Sequence, residues 1–176
     1  ALFLAYVRAN DPRIAMLKSL SIPFVVHGRT IDQPADYPFL DIDNTGAFYE
    51  ATRLLIQLGH RRIGLINGPA HLTFAIRRKK GMVRALDENG LAFDEALSHN
   101  SLMTDEYGYR AMERFLANPE PPTAVLCSST VMALGAVRAI NRANLTIGKD
   151  ISIIAHDDVL PMLKPTSSPS RAPFWN

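Results

Sequence analysis

The sequence predicts an α/β fold: parallel sheets with helices on both faces. Three observations carry that prediction. Short apolar runs recur along the chain, as in "RIGLIN" and "TAVLC", and such runs suit strands covered on both sides. Between them lie stretches whose apolar residues repeat at helical spacing. Each strand run also stops at polar or glycine punctuation, which is where open parallel sheets bind ligands.

Taken in order, Leu2 to Val7 reads as the first strand. Asp11 is an N-cap with Pro12 in the first turn, opening a helix to about Leu20. Pro23 to Val26 is a second strand ending in His27-Gly28, and residues 29–36 form a polar loop. Pro38 to Ile42 is a third strand. Asp43 or Asn44 caps a long helix to Leu58, with Ala47, Ala51, Leu54, Leu55 and Leu58 expected on its inner face. Gly59 stops that helix. A strand over 62–67 follows, then a helix from about Phe74 to Asn89 closed by Gly90. A weaker strand is expected near Leu97–Met103, and a helix over 105–117 ends at Asn118-Pro119. Thr123 to Cys127 is a strand. The helix Thr130 to Arg142 places Val131, Leu134, Val137 and Ile140 in register, and Ile151 to Ala155 is the last buried strand. The tail from Pro161 has four prolines in sixteen residues and reads as loop.

Composition narrows the function. The 176 residues are 47% hydrophobic and 20% charged, which supports a packed core rather than disorder. A formal net charge of +2 is too small for a dedicated nucleic-acid domain. The basic clusters His60-Arg61-Arg62 and Arg77-Arg78-Lys79-Lys80 read as solvated helix ends, Arg78 excepted. The single cysteine, Cys127, excludes a disulfide within the chain and reads as a buried small apolar residue. No apolar run approaches the roughly 20 residues that cross a bilayer, so no membrane partner is expected. The opening "ALFLAYV" starts directly in a strand, so a preceding segment is expected.

Enzyme motifs fail. There is no dinucleotide fingerprint, phosphate loop, nucleophile elbow, HExxH or paired-cysteine motif, so no cofactor and no metal are expected. Asp157-Asp158 is a carboxylate pair, but neighbours point to different faces and only one enters a cleft. What remains is a row of polar groups at strand ends: His27-Gly28, Asn67, Ser128-Ser129 and His156-Asp157. With Arg78 they suit a neutral, polyhydroxylated ligand held by many hydrogen bonds. The bland reading of His156, and likewise of His27, is a strand-end ring bonded to backbone.

These residues carry a resemblance. "NDPRIAML", "IPFVVHGR", "DNTGAFYEATRLLIQLGHRRIGLINGP", "RRKKGMVRAL", "PPTAVLCSSTVMALGAVRAI" and "GKDISIIAHDD" occur in the order found in the effector-binding core of the LacI/GalR family of bacterial transcriptional repressors. The resemblance implies a periplasmic-binding-protein-like fold of type I, with two Rossmann-like subdomains. Residues 1–42 fall in the N-terminal one, 43–157 in the C-terminal one, and 158–176 in a crossover and incomplete tail. It implies no catalysis, and an effector site including Arg78, Asp157, Ser129, Phe74, Met103, Gly28 and His27. Ser129 and Thr130 stand where the family has Asn-Asp, and Ala155-His156 where it has glycine and an aromatic residue. Ligand identity therefore does not carry over.

A sugar or glycoside effector, a homodimer, operator DNA bound through a helix-turn-helix outside this chain, and a cytoplasmic setting are what the resemblance implies. The helix 130–142 and the segment 158–164 are expected either at a subunit interface or in core packing. The alternatives are a periplasmic sugar-binding protein of a transport system and an enzyme on the same scaffold. Because Arg78 is expected in a cleft, Arg78→Ala is expected to abolish the effector response and leave the fold intact.

Overall fold

The computed structural model describes residues 1–31 and 34–157. The chain makes two parallel sheets. The first joins β1 (Leu2–Leu4), β2 (Phe24–His27) and β3 (Phe39–Leu40) in that order, with α1 (Pro12–Ser19) between β1 and β2. Asp11 caps α1 by accepting from the Arg13 amide, and its carboxylate also takes the Arg8 amide at 3.1 Å. The Arg13 guanidinium beside it is the main influence holding the Asp11 carboxyl down at about 2. Arg13 then reaches back to the Tyr6 carbonyl at 2.9 Å, pinning a non-glycine residue at φ +56°.

The second sheet holds β4 (Ile63–Asn67), β5 (Ser98–Asn100), β6 (Ala124–Cys127) and β7 (Ser152–Ala155) in the order β5-β4-β6-β7. Its helices are α2 (Asn44–Gln57), α3 (Thr73–Glu88), α4 (Asp105–Leu116) and α5 (Thr130–Arg142). The period of two along each strand sorts the core into two layers. Ile63, Leu65, Ala124 and Leu126 pack with Phe48, Leu55, Met82 and Leu86 of α2 and α3. Ile66, Val125 and Cys127 pack with Met112, Phe115, Met132 and Ile140 of α4 and α5.

Both helix pairs touch backbone to backbone. A Cβ on Gly81 of α3 would stand 2.1 Å from the Thr45 carbonyl oxygen of α2. One on Gly108 of α4 would stand 2.0 Å from the Met132 carbonyl oxygen of α5.

The expected α/β architecture holds, and the expected faces of two helices do not. In α2 the buried residues are Asn44, Phe48, Thr52, Leu55 and Ile56, whereas Leu54 and Leu58 are exposed. In α5 they include Met132, Ala133, Ala136, Ala139 and Ile140, with Val131 and Leu134 each 38% exposed. In α5 close helix approach explains the difference, because small residues face the neighbour and bulkier aliphatics turn outward, whereas in α2 the core-facing stripe simply runs through Phe48, Leu55 and Ile56. Strand runs also shorten, β1 to Leu2–Leu4 and β3 to Phe39–Leu40.

The basic clusters are not simply solvated. His60 bridges Thr123 Oγ1 at 2.9 Å and Ser152 Oγ at 3.0 Å, and Arg62 donates to the Glu120 carbonyl at 2.7 Å. The tail and the 158–164 segment lie outside the described residues. None of the helices among those residues is long and apolar enough to cross a membrane.

Candidate effector site

From β4 the chain steps to β5 on one side, then returns past β4 to β6 on the other. The sheet's order reverses at the carboxyl ends of β4 and β6, where a crevice opens. Asn67 ends β4 and is fully buried. Its Nδ2 donates to the Ala75 carbonyl at 2.9 Å, while its Oδ1 accepts from the Gly68 amide at 2.9 Å and Ser128 Oγ at 2.5 Å. Expected as a ligand group, Asn67 instead stitches the strand ends together beneath the site.

Above it lies a cavity of about 400 Å³ between the two sheets. Arg78, Asp157, Phe74, Met103, Gly28 and His27 all line it, so the structure brings six of the seven expected residues together. Ser129 is not among the lining residues. It caps α5, accepting from the Met132 amide at 3.3 Å, and the residue at the cavity is Ser128. Along an extended backbone, neighbours face opposite ways, so one position separates a cap from a wall.

Arg78 enters from α3 and is 5% exposed. Its Nε donates to Asn44 Oδ1 at 2.8 Å and its Nη1 to the Ser128 carbonyl at 2.6 Å. The guanidinium carbon lies 4.9 Å from the Phe74 ring centroid and 5.2 Å from that of Phe48. Phe74 reaches that position because Gly68 has no Cβ; one there would stand 2.6 Å from the Phe74 ring. Burial lowers the guanidinium to about 10, against the raising effect of the Asp157 charge, so it is cationic at neutral pH. Arg78 is thus both a cleft residue and a core residue, which corrects the expectation that its truncation leaves the fold untouched.

His156 departs from its bland reading. Its amide donates to the Cys127 carbonyl at 2.9 Å, but its ring faces the cavity. Nδ1 lies 2.8 Å from Asp157 Oδ1, and Arg78 Nη2 lies 3.1 Å from Nδ1 and 3.4 Å from Nε2. Burial first, then the Arg78 charge, lowers the imidazole below its ordinary 6.5, with Asp157 opposing. A neutral ring protonated on Nδ1 satisfies both neighbours: it donates to Asp157 and offers Nε2 to Arg78.

Asp157 itself stands at φ +70°, a left-handed conformation that aspartate tolerates better than most residues. Thr130 holds it there by donating its hydroxyl to the Asp157 carbonyl.

Sequence reasoning missed several groups. Asn44 reads as a helix start, yet its side chain orients Arg78. Asp41 reads as the end of a strand, yet it lines the cavity with Tyr6, Thr73 and Ile42. No spacing signals either residue, because Asn44 acts through a contact between α2 and α3 and Asp41 through one between the two sheets.

The arrangement offers a fixed cation, carboxylates from both sides, an imidazole and an aromatic wall. Hydrogen-bonding recognition follows from that set. Covalent chemistry through the one cysteine does not: burial pushes the Cys127 thiol up to about 12. Among the described residues no cluster of His, Cys, Asp and Glu suits a metal ion.

Comparison with known proteins agrees. Residues 52–172 match the periplasmic binding protein-like domain family. The chain is 76% identical over 165 residues to the HTH-type transcriptional regulator AglR of Rhizobium meliloti, covering 94% of this chain and 46% of that protein. It is 37% identical over 139 residues to the repressor CytR of Escherichia coli, covering 79% of this chain and 41% of that one. It therefore spans less than half the length of these relatives.

A solved LacI-family regulatory protein from Chloroflexus aggregans superposes with a TM-score of 0.82 at 32% identity, over 92% of this chain and 57% of that one. The regulator CelR in complex with cellobiose superposes at 0.81 and 32% identity, over 89% and 48%. These relatives and neighbours are transcriptional regulators, not enzymes. The chain belongs to the periplasmic binding protein-like domain family, and the relatives and solved structures it is similar to are HTH-type and LacI-family transcriptional regulators.

Proposed function

We propose that this segment binds a small neutral effector, a sugar or glycoside, between two lobes of a ligand-responsive repressor. Residues 1–42 contribute to the first lobe and 43–157 form the second. Arg78 and Asp157 grip the ligand from the second lobe, with Phe74 and Met103 as its apolar wall. His27 and Gly28 close over it from the first. One observation carries this reading: Arg78 and Asp157, far apart in sequence, line a single cavity where the sheet order reverses. A solved relative of similar fold holds cellobiose, which supports a saccharide here.

The output is a shift in population. An effector that binds one interlobe angle better than another moves the protein toward that angle by its difference in affinity, and by no more. The whole regulator works as a cytoplasmic homodimer and carries the signal to operator DNA through a domain outside this chain. The HTH-type relatives favour this over the transport-protein alternative.

The test is fluorescence anisotropy of labelled operator DNA with the full-length regulator and a panel of neutral saccharides that includes cellobiose. A responsive saccharide is expected to change DNA affinity by about 5- to 150-fold, the usual range of allosteric coupling. Arg78→Met is expected to bind DNA and ignore the saccharide. A panel without effect, or an Arg78→Met protein that responds like the parent, overturns the reading.

A further inference from the structure

The residue before Arg78 does something different from it. Arg77 lies on the same helix of the second lobe but reaches into the first. Its Nη1 donates to Asp41 Oδ2 at 2.7 Å and its Nη2 to the Thr30 carbonyl at 3.2 Å. Asp41 Oδ2 also accepts from Arg29 Nε at 3.0 Å. The Asp41 carboxylate is 7% exposed and the Arg77 side chain 19%, so the pair is largely shielded from water and salt.

Asp41 sits one residue after β3 and three before α2 begins, where the chain passes from one sheet to the other. It also lines the effector cavity. Arg77 and Arg78 are thus consecutive residues on one rigid helix, one holding the crossover and the other facing the ligand.

A second link lies one helical turn away. The first amide of α3, that of Thr73, donates to the Val7 carbonyl of the first lobe at 2.8 Å. No side chain caps this helix end, so the first lobe supplies the cap. A single attachment lets two bodies pivot about it. A second one, four residues along and so roughly 6 Å away, fixes the angle between them.

We propose that Arg77 and Asp41 form a latch between the lobes that sets the angle at which the effector cavity closes. The latch rests on the two-lobe reading above, and what it adds is a positioning role for Arg77 toward Asp41 at the cavity edge. Arg29 braces the same carboxylate from within the first lobe and spans nothing.

The experiment measures the interlobe distance without any effector, so its failure is distinct from the failure of the saccharide reading. Spin labels are placed on exposed positions of the full-length regulator, Ser19→Cys on α1 and Arg142→Cys on α5, with buried Cys127 left unlabelled. Double electron–electron resonance is recorded for the parent, Arg77→Gln, Arg77→Lys and Arg29→Gln.

Arg77→Gln is expected to shift the distribution outward and broaden it. Arg77→Lys, which keeps the charge but cannot reach both acceptors as a fork, is expected to fall between. Arg29→Gln is expected to match the parent. An unchanged distribution in Arg77→Gln overturns the latch. So does equal broadening in Arg29→Gln, which signals general loosening of the first lobe.

Discussion

Arg78 spends part of its hydrogen-bonding capacity on the protein. Asn44 and the Ser128 carbonyl take two of its five N–H groups, and the rest face His156 and the cavity. Truncation to alanine therefore leaves a buried amide oxygen and a carbonyl without their donor. Arg78→Ala is expected to lower stability by about 2–5 kcal/mol, read from urea unfolding, as well as to remove effector binding.

His156 gives the site a pH dependence. Its folded-state pKa lies below the unfolded value, as does that of His99, chiefly through burial. The unfolded chain therefore binds more protons as pH falls through about 6.5, and stability drops from there downward. Urea midpoints at pH 7.5 and 5.5 are expected to show that loss, and His156→Phe to show less of it. An equal loss in His156→Phe contradicts the assignment. At this scale the sequence was partly legible. Arg78, Asp157 and the pair Ser128-Ser129 stood out as polar groups at element ends, but which serine of the pair lines the cavity did not, and Asn44 was hidden because a helix-start asparagine looks the same whether or not it touches a neighbour.

Among the elements, glycines decide how the helices meet. Gly81 lets α3 lie directly on the α2 backbone, and α3 carries Phe74, Arg77 and Arg78. Gly81→Ala forces the pair apart and is expected to cost about 3 kcal/mol or more, measured by thermal or urea unfolding. A cost near zero would show that the helices do not need this approach. Thr130 acts between α5 and the end of β7. Thr130→Val removes the bond to the Asp157 carbonyl and is expected to weaken saccharide affinity roughly ten-fold with about 1 kcal/mol of stability lost, by calorimetry beside unfolding.

Helix and strand order was legible in the apolar periodicity. Helix rotation was not: Leu54 and Leu58 share the apolar spacing of α2, yet Phe48, Leu55 and Ile56 take its core face, and in α5 alanines take the tight contact while Val131 and Leu134 turn outward.

On the scale of the whole molecule, the proposed function depends on relative motion of two lobes. The second sheet buries its strands under helices on both faces, as an independent folding unit does. The strands of the first sheet leave Phe3 and Leu40 exposed at 67% and 65% in this segment. The alternation of elements foretold parallel sheets, but not that the crossover near Asp41 would be tied down by Arg77, because a run of four basic residues reads as a solvated face until a partner is found. A ligand seated among Arg78, Asp157, His27 and Gly28 touches both lobes and so favours one angle between them. The direct test is titration calorimetry of the full-length regulator with the neutral saccharide panel, comparing the parent with Arg78→Met. The account predicts measurable binding to the parent and a loss of at least about a hundred-fold in the variant, the worth of two charge-assisted hydrogen bonds. Saccharide affinity unchanged by Arg78→Met would contradict it.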